Sequence, residues 1–406
     1  MYVEREVAKT FKLVAPVYSI IAVVGPRQAG KTTFLRNKAD ETKSTYVMLD
    51  DPDARQMFDE DIKKFENQYM QKDTVCVIDE VQYGKDPGRK LKYLADSGRR
   101  IWITSSSQTI LGDTVLSWLV GRVSVIKLYP FSFREFLAAK DQKETTQKII
   151  SRNVLEQIVY GSYPKVVFEK EYGLKEIMLR DLYETMILKD VSKVFSIQDI
   201  GSLERFSRYL ANSIGNVLVY GNVSSDLSLS FQTTKKYLDA MEKSYLILSV
   251  KPFYTNKLKE IVKQPKVYFL DTGLRNAAAN AFPKNLENEG KLFENYVLTE
   301  MLKVGIEVRY WQTKSGAEVD FIVKRKEELI PIEVKVTAKD GKIERSLRLF
   351  IEEYRPKHAI VVFYEGTKRE TKVNECRVTF TDVNGLVGLL QKKSRGSPAI
   401  NHMAKH

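Results

Sequence analysis

The stretch GPRQAGKT at residues 25–32 decides the fold of the first part of this 406-residue chain. It ends in Lys31 and Thr32, and a largely apolar, β-branched run at residues 18–24 comes just before it. Such a run predicts a buried parallel strand, and residues 33–36 can continue as a helix. A strand, a glycine-rich loop and a helix in this order are typical of the phosphate-binding loop of α/β nucleotide-binding domains.

This loop predicts a site for ATP and Mg²⁺. Gly25 and Gly30 would let backbone N–H groups surround the phosphates, and the N-terminus of the helix would add a favourable dipole. Lys31 would reach the β- and γ-phosphates, and the hydroxyl of Thr32 would bind Mg²⁺. The predicted nucleotide-binding residues of the loop are Gly25, Pro26, Arg27, Gln28, Ala29, Gly30, Lys31, Thr32 and Thr33.

A second apolar run, at residues 74–78, ends in the adjacent carboxylates Asp79 and Glu80. A buried strand would carry Asp79 into the surroundings of Mg²⁺, and Glu80 would polarise the attacking water as general base. An acidic pair at the end of a strand is more often solvated than catalytic. Its combination with the phosphate-binding loop favours the catalytic interpretation and predicts a complete site for ATP hydrolysis.

Two further residues are candidates for the same site. A third strand is predicted at residues 100–104, and Ser106 is the candidate γ-phosphate sensor within the polar stretch 104–107. A serine-rich turn without that role is the alternative. Arg122 is a candidate for stabilising transition-state charge, from its own chain or from a neighbouring one. A surface ion pair is the alternative for Arg122.

The composition limits the classes of partner and cofactor. Lys and Arg number 65 and Asp and Glu 52, so the net charge of +13 favours a polyanionic partner. Two cysteines, Cys76 and Cys376, and three histidines argue against a disulfide framework, a zinc site and a catalytic histidine pair. No apolar run of about 18 residues predicts a membrane span. We expect a cytoplasmic protein whose partner is nucleic acid, DNA more than RNA, rather than a membrane.

The middle of the chain predicts helices. Apolar residues recur at spacings of three and four between residues 146 and 200, which predicts a helical lid. Residues 201–262 read as helices followed by a strand, an order that suggests a winged helix. Its would-be recognition helix carries residues that can contact the major groove or phosphates, namely Gln232, Thr233, Lys235 and Lys236. A packing module without DNA contact is the alternative.

Residues 318–336 contain two strand-like runs joined by a charged loop of hairpin length. Pairing around this loop sets Asp320 opposite residue 332 or 333. Glu333 and Lys335 alternate with apolar neighbours, so their side chains are expected on one face of the second strand. Two carboxylates and a lysine are therefore expected to meet at the surface of a sheet.

This C-terminal constellation predicts metal-dependent chemistry on a phosphodiester. Asp320 and Glu333 would bind a second divalent cation, Mg²⁺ or Mn²⁺, with Glu294 joining them from the preceding helix. Lys335 would orient or activate the attacking water. Charged residues also alternate on ordinary solvated hairpins, and a catalytically quiet binding domain is the alternative.

Several stretches carry a resemblance to a known family: GPRQAGKTT (25–33), YVMLDDPD (46–53), VIDEVQ (77–82), ITSSS (103–107), LVGRV (119–123), LYPFSFREFL (128–137) and GSYPKVV (161–167). They resemble archaeal and bacterial AAA-type P-loop ATPases whose C-terminal half is a domain of unknown function with a nuclease-like core. The C-terminal order of Glu, Asp and Glu-x-Lys resembles the PD-(D/E)xK nuclease fold, with Glu318-Val319-Asp320 in place of the Pro-Asp element. The family usually has Gly where Ser105 stands, which affects the choice of sensor residue.

We therefore predict an α/β protein with five parts: an ATPase domain (1–145), a helical lid (146–200), a winged helix (201–262), a nuclease-like domain (263–391) and a disordered tail (392–406). The predicted function is ATP hydrolysis coupled to action on nucleic acid. The alternative is a nucleotide-switched regulatory or scaffold protein that binds without cleaving. A homo-oligomer is possible on either interpretation.

Overall fold

The computed structural model describes residues 2–106, 117–142, 146–254 and 264–392. Its first part is a five-stranded sheet of β1 (Ile20–Val24), β2 (Ser44–Met48), β3 (Val75–Asp79), β4 (Arg100–Ser105) and β5 (Val123–Lys127). The helices of this part are α1 (Ala8–Val14), α2 (Lys31–Ala39), α3 (Pro52–Glu60), α4 (Ile62–Tyr69) and α5 (Pro87–Asp96).

The sheet is parallel throughout, with the strand order β2-β3-β4-β1-β5. Every residue of β1 is buried, because Ile20, Ala22 and Val24 pack into the core on one face and the residues between them into the core on the other. That two-sided burial explains the continuous apolar run. The carboxyl ends of β1, β3 and β4 meet at one edge of the sheet, where open α/β sheets bind ligands.

The middle part is mostly helical. Its elements are α6 (Phe133–Ala139), α7 (Gln147–Tyr160), α8 (Pro164–Phe168), α9 (Tyr172–Thr185), a π-helix (Met186–Lys193), α10 (Ile200–Asn212), α11 (Tyr220–Leu227), α12 (Phe231–Lys243), β6 (Ile247–Val250) and β7 (Lys266–Phe269). Strands β6 and β7 form an antiparallel ribbon. The boundary predicted at residue 262 falls between these two paired strands.

The C-terminal part consists of α13 (Thr272–Ala279), α14 (Gly290–Lys303), β8 (Arg309–Gln312), β9 (Glu318–Arg325), β10 (Glu328–Ala338), α15 (Arg345–Tyr354), β11 (His358–Gly366), β12 (Arg369–Val373), β13 (Cys376–Thr381) and α16 (Val383–Lys392). The strands form a mixed sheet in the order β12-β13-β11-β10-β9-β8. Helix α16 includes Lys392, and the rest of the predicted tail lies outside the described residues.

One large apolar core joins the middle and C-terminal parts. It runs from Phe133 at the start of α6 to Leu390 in α16 and includes residues of the predicted lid, such as Leu179 and Leu182. The helices predicted as a lid therefore contribute side chains to this core.

Over the ranges given above, we find no helix with both the length and the apolar character needed to cross a bilayer.

Candidate active site

The loop between β1 and α2 requires glycine at two positions. A Cβ atom on Gly25 would lie 2.0 Å from the backbone oxygen of Leu128, so a side chain does not fit. Gly30 has a φ of 98° and immediately precedes α2, a conformation that residues with a Cβ atom rarely adopt. The two glycines therefore allow the sharp return into α2, whose free N-terminal N–H groups favour an anion.

Lys31 is buried inside this loop. Its Nζ atom donates hydrogen bonds to the carbonyl oxygens of Gly25, at 3.0 Å, and Pro26, at 2.9 Å. Burial lowers the pKa of Lys31, and the charges of Glu80 and Asp79 oppose that shift. The ammonium group is thus held against the loop backbone, with carboxylates across the site to keep it charged. Thr33, also predicted here, lies exposed on the first turn of α2.

Asp79, at the end of β3, accepts hydrogen bonds from three hydroxyl groups. Thr32 Oγ1 is 2.9 Å from Asp79 Oδ2, Tyr46 Oη is 2.5 Å from the same atom, and Thr104 Oγ1 donates to Oδ1. Sequence reasoning missed Tyr46, which lies on β2. The signal that could have identified it is its position at the start of YVMLDDPD (46–53), one of the stretches that carry the family resemblance. The three donors fix Asp79 directly beside the phosphate-binding loop.

Glu80 follows Asp79 in a left-handed conformation, with a φ of 54°. Its backbone N–H donates to Thr104 Oγ1 at 2.8 Å, so Thr104 connects both acidic residues. The carboxylate accepts from Ser106 Oγ at 3.1 Å and from the amide of Gln82. Ser106, the predicted sensor, therefore lies against the predicted base, while Ser107 lies outside the described residues.

The donor set at this edge fits ATP with Mg²⁺. Thr32 and Asp79 place a hydroxyl and a carboxylate in contact, and Mg²⁺ prefers such oxygen ligands together with substrate phosphates. A concave glycine loop, a buried lysine and a helix N-terminus supply the matching contacts for the phosphates.

Two arginines connect the phosphate-binding loop to other parts of the chain. Arg5 lies outside the loop and Arg27 lies within it. Arg5, which is 6% exposed, donates to the carbonyl oxygen of Ala29 at 2.9 Å and pairs with Glu135 at 3.1 Å. Arg27 binds Asp190 of the π-helix through two hydrogen bonds of 2.9 Å. Neither Arg5 nor Asp190 carries a motif signal, since each is far along the chain from its partner.

Arg122 lies away from the phosphate-binding loop of its own chain. Its carbonyl oxygen accepts from the N–H of Ile20 at the start of β1, so it lies at the amino end of the strands. The phosphate-binding loop follows Val24, at the opposite end of the same strand. The Arg122 guanidinium instead pairs with Asp96 at 2.6 Å on the surface.

The second constellation lies on β9 and β10. The two strands are antiparallel with Ile332 paired to Phe321, so Asp320 comes opposite Glu333. Asp320 Oδ2 accepts from the N–H of Val334 at 2.8 Å, and Lys335 Nζ is 3.0 Å from Glu333 Oε1. The structure therefore brings together Asp320, Glu333 and Lys335.

Glu294 is engaged by other partners. It accepts from Tyr268 Oη at 2.5 Å and pairs with Lys291 at 2.8 Å. Lys266, fully buried on β7, lies 3.8 Å from Glu294 and in closer contact with Glu318. Sequence reasoning missed both lysines and the tyrosine, because they come from separate elements that fold onto this sheet.

Burial and mutual repulsion dominate the electrostatics of this carboxylate cluster. The pKa of Asp320 is raised well above its usual range by burial and then by the charges of Glu294 and Glu333. Burial also raises the pKa of Glu333, against the effect of Lys335. Protonation or a bound cation would relieve this repulsion.

A metal fits the cluster only in part. Glu333 Oε2 is buried and has no hydrogen-bond partner among the described residues, which leaves it available together with Asp320. However, in the described part of the chain no three His, Cys, Asp or Glu side chains are arranged to hold one metal ion. Glu294 does not complete the ligand set predicted for it, since a tyrosine and a lysine hold its two oxygens.

Three families match successive parts of the chain. Residues 17–137 match a family described as an AAA domain. Residues 151–285 and 289–382 match two families described as domains of unknown function, DUF8612 and DUF4143. The nuclease-like fold predicted for the C-terminal part has no counterpart among these descriptions.

Relatives extend over most of the chain. A protein of Haemophilus influenzae is 28% identical over 72% of this chain and 73% of its own length, and one of Methanocaldococcus jannaschii is 26% identical over 80% and 77%. Both are described as uncharacterized. A Walker-type ATPase of Pyrococcus abyssi, 14% identical, gives a TM-score of 0.48 over 68% of this chain and 96% of that chain. The AAA match at residues 17–137 and the geometry around Lys31 and Asp79 together support a P-loop ATPase domain of the AAA type in the N-terminal part of this chain.

Proposed function

We propose that the chain hydrolyses ATP with Mg²⁺ and couples hydrolysis to action on nucleic acid. In this proposal Lys31 contacts the β- and γ-phosphates, and Thr32 and Asp79 hold the metal. Bound Mg²⁺ would neutralise phosphate charge and orient the γ-phosphate. Glu80 takes the proton of the attacking water, and Ser106 with Gln82 keeps its carboxylate in position.

The observation that carries this proposal is the contact of Thr104 with both acidic residues. Its hydroxyl donates to Asp79 and accepts from the N–H of Glu80 at 2.8 Å. A single side chain thus sets the spacing between the metal-holding carboxylate and the predicted base. An acidic pair without a catalytic role would not require one hydroxyl group to contact both of its residues.

The proposed action on nucleic acid rests on charge and on two candidate surfaces. The net charge is +13, and α12 of the proposed winged helix exposes Lys235 and Lys236. The paired Asp320 and Glu333, with Lys335 beside them, support a PD-(D/E)xK-like site for cleavage of a phosphodiester, in which the two carboxylates would hold Mg²⁺ or Mn²⁺. DNA is the proposed substrate.

A second candidate is a nucleotide-switched protein that binds nucleic acid without cutting it. Lys266 and Lys291 already neutralise Glu294 and Glu318, with contacts of 2.8 and 3.5 Å from Lys291. Such internal pairing favours a structural role for Glu294 and Glu318. An oligomer is compatible with either candidate.

Cleavage of labelled single- and double-stranded DNA and RNA separates the two candidates. The wild type, Asp320→Ala and Lys31→Ala would be compared with Mg²⁺ or Mn²⁺, with and without ATP. Asp340→Ala, at an exposed position after β10, is the matched control. Scission lost in Asp320→Ala and dependent on Lys31 supports a coupled nuclease. Binding without scission, in a protein that hydrolyses ATP, supports the switched binding protein.

A further inference from the structure

The π-helix of the middle part reaches the phosphate-binding loop through one side chain. Asp190 is 163 residues from Arg27 and accepts two hydrogen bonds from its guanidinium, with Nε–Oδ2 and Nη2–Oδ1 distances of 2.9 Å. The Asp190 side chain is 8% exposed and the Arg27 side chain 23%. A paired, bidentate arginine and carboxylate of this kind is among the stronger polar contacts in proteins.

The two residues connect three parts of the molecule. Arg27 Nη2 also lies 3.4 Å from Tyr83 Oη, in the turn that follows Asp79 and Glu80. The backbone oxygen of Asp190 accepts from Ser244 Oγ at 2.7 Å, at the end of α12. The loop, the turn after the acidic pair and the proposed winged helix therefore meet at this ion pair.

Asp190 also acts on the interior of the site. Burial lowers the pKa of Lys31 and the charge of Arg27 lowers it further, while the charge of Asp190 acts in the opposite direction. The carboxylate is therefore close enough to influence the ammonium group that would bind phosphate. A phosphate placed in the loop would be attracted to Arg27 and repelled by Asp190.

We propose that Asp190 is a positioning residue for the ATPase site and that nucleotide phosphate competes with it for the guanidinium of Arg27. Without nucleotide, Asp190 satisfies Arg27 and fastens the π-helix to the loop. With ATP, Arg27 turns towards phosphate oxygens, which offer the same paired acceptors. The contact with the π-helix is then released, and the middle part responds to the nucleotide.

A π-helix is a suitable element for this release. Single π-helical turns are rare in proteins as a whole, and those that occur are often found at functional sites. The segment Met186–Lys193 continues directly from α9 and ends before α10. It also carries exposed Leu188 close to Asp190, which provides a place to observe a change.

Affinity for a fluorescent, non-hydrolysable ATP analogue tests the competition. Asp190→Asn keeps the shape but removes the charge, and we expect it to bind the analogue about 5- to 10-fold more tightly than the wild type, within the usual range of coupling between sites. Asp181→Asn, at an exposed position on α9, is the matched control and should bind like the wild type. In an Arg27→Ala background the effect of Asp190→Asn should disappear.

Unchanged or weaker binding in Asp190→Asn, or the same gain with Arg27 removed, would overturn the proposal. A spin label at Leu188→Cys gives a second measurement that needs no change at Asp190, because both native cysteines are buried. The analogue should increase the mobility of this label in the otherwise wild-type protein. A label that does not respond to saturating analogue would also contradict the release of the π-helix.

Discussion

The ATPase site and the C-terminal carboxylate cluster both combine acidic side chains with lysine, but they satisfy those charges differently. At the ATPase site, Asp79 is held by three neutral hydroxyls and Lys31 by two backbone carbonyls. In the cluster, Glu294 and Glu318 are paired with Lys266 and Lys291. The charged groups of the ATPase site therefore remain available to a ligand, whereas most charges of the C-terminal cluster are neutralised by ion pairs within it.

This difference has an energetic consequence. Hydroxyl donors bring no opposite charge to a carboxylate, so it can still attract a cation, whereas ion-paired carboxylates offer much less net charge. Asp320 and Glu333 lie between these extremes, because their pKa values are raised and Lys335 reaches only Glu333. The comparison predicts a strong ligand site in the N-terminal part and a weaker, proton-sensitive one in the C-terminal part.

Among variants that leave the phosphate contacts in place, the largest effect is expected for Glu80→Gln. Loss of a general base costs about 10²- to 10⁴-fold in rate, while the contacts to phosphate do not involve this carboxylate. We expect ATP binding to persist and turnover to fall by that factor. Steady-state phosphate release and analogue binding measure the two quantities. Turnover near the wild-type rate would show that Glu80 is not the base.

A smaller loss is expected for Thr104→Val, which removes the hydroxyl that connects Asp79 to Glu80. Hydrogen bonds to charged groups are worth about 1.5–3 kcal/mol, so kcat should fall by roughly tenfold or more. Thr104→Ser keeps the hydroxyl and is the matched control. If Val and Ser variants have equal kcat, the connection has no catalytic role.

Asp320→Asn tests the cluster through pH. The folded-state pKa of Asp320 is raised, so the folded protein retains a proton that the unfolded chain has lost, and stability falls as pH rises above the unfolded value. An amide has no such dependence. We expect Asp320→Asn, in the presence of a chelator, to raise Tm relative to the wild type at pH 8.

The gain should shrink as pH falls towards 4, because the unfolded carboxyl then approaches its usual pKa and begins to take up the proton that the folded one holds; each unit of pKa shift contributes about 1.4 kcal/mol. Asp340→Asn, on the exposed segment after β10, should show no such trend. A gain of equal size at both pH values would mean that repulsion in the cluster is not its source.

The smallest effect is expected for Arg122→Ala. The pair of Arg122 with Asp96 is exposed, with side chains 37% and 45% accessible, and such pairs are worth about 0–1 kcal/mol. ATP turnover should therefore stay within about twofold of the wild type, since the side chain is remote from its own phosphate-binding loop. A loss of 100-fold or more would place Arg122 in the site of a neighbouring copy.

The sequence predicted those parts of the site that are contiguous along the chain. The loop from Gly25 to Thr32 and the pair at Asp79 each follow a buried strand, and the strand fixes where they emerge. The approach of Asp320 to Glu333 could also be predicted, because one hairpin sets the register of their two strands. Each prediction rested on local geometry.

Contacts made over long separations could not be predicted in this way. Asp190 meets Arg27 across 163 residues and Lys266 meets Glu318 across 52. No periodicity marks such a contact, because it depends on how whole elements pack. The large core shared by the middle and C-terminal parts, and the strand pairing across residue 262, likewise depend on contacts between distant elements.

ATP turnover of Lys31→Ala and Asp320→Ala, measured beside the wild type with Mg²⁺, tests the central claim most directly. Lys72→Ala, at an exposed position before β3, controls for the loss of a lysine. We predict that turnover is lost in Lys31→Ala and is kept in the Asp320→Ala and Lys72→Ala variants. Turnover that survives Lys31→Ala, or disappears in Asp320→Ala, would contradict the assignment of ATP hydrolysis to the N-terminal site.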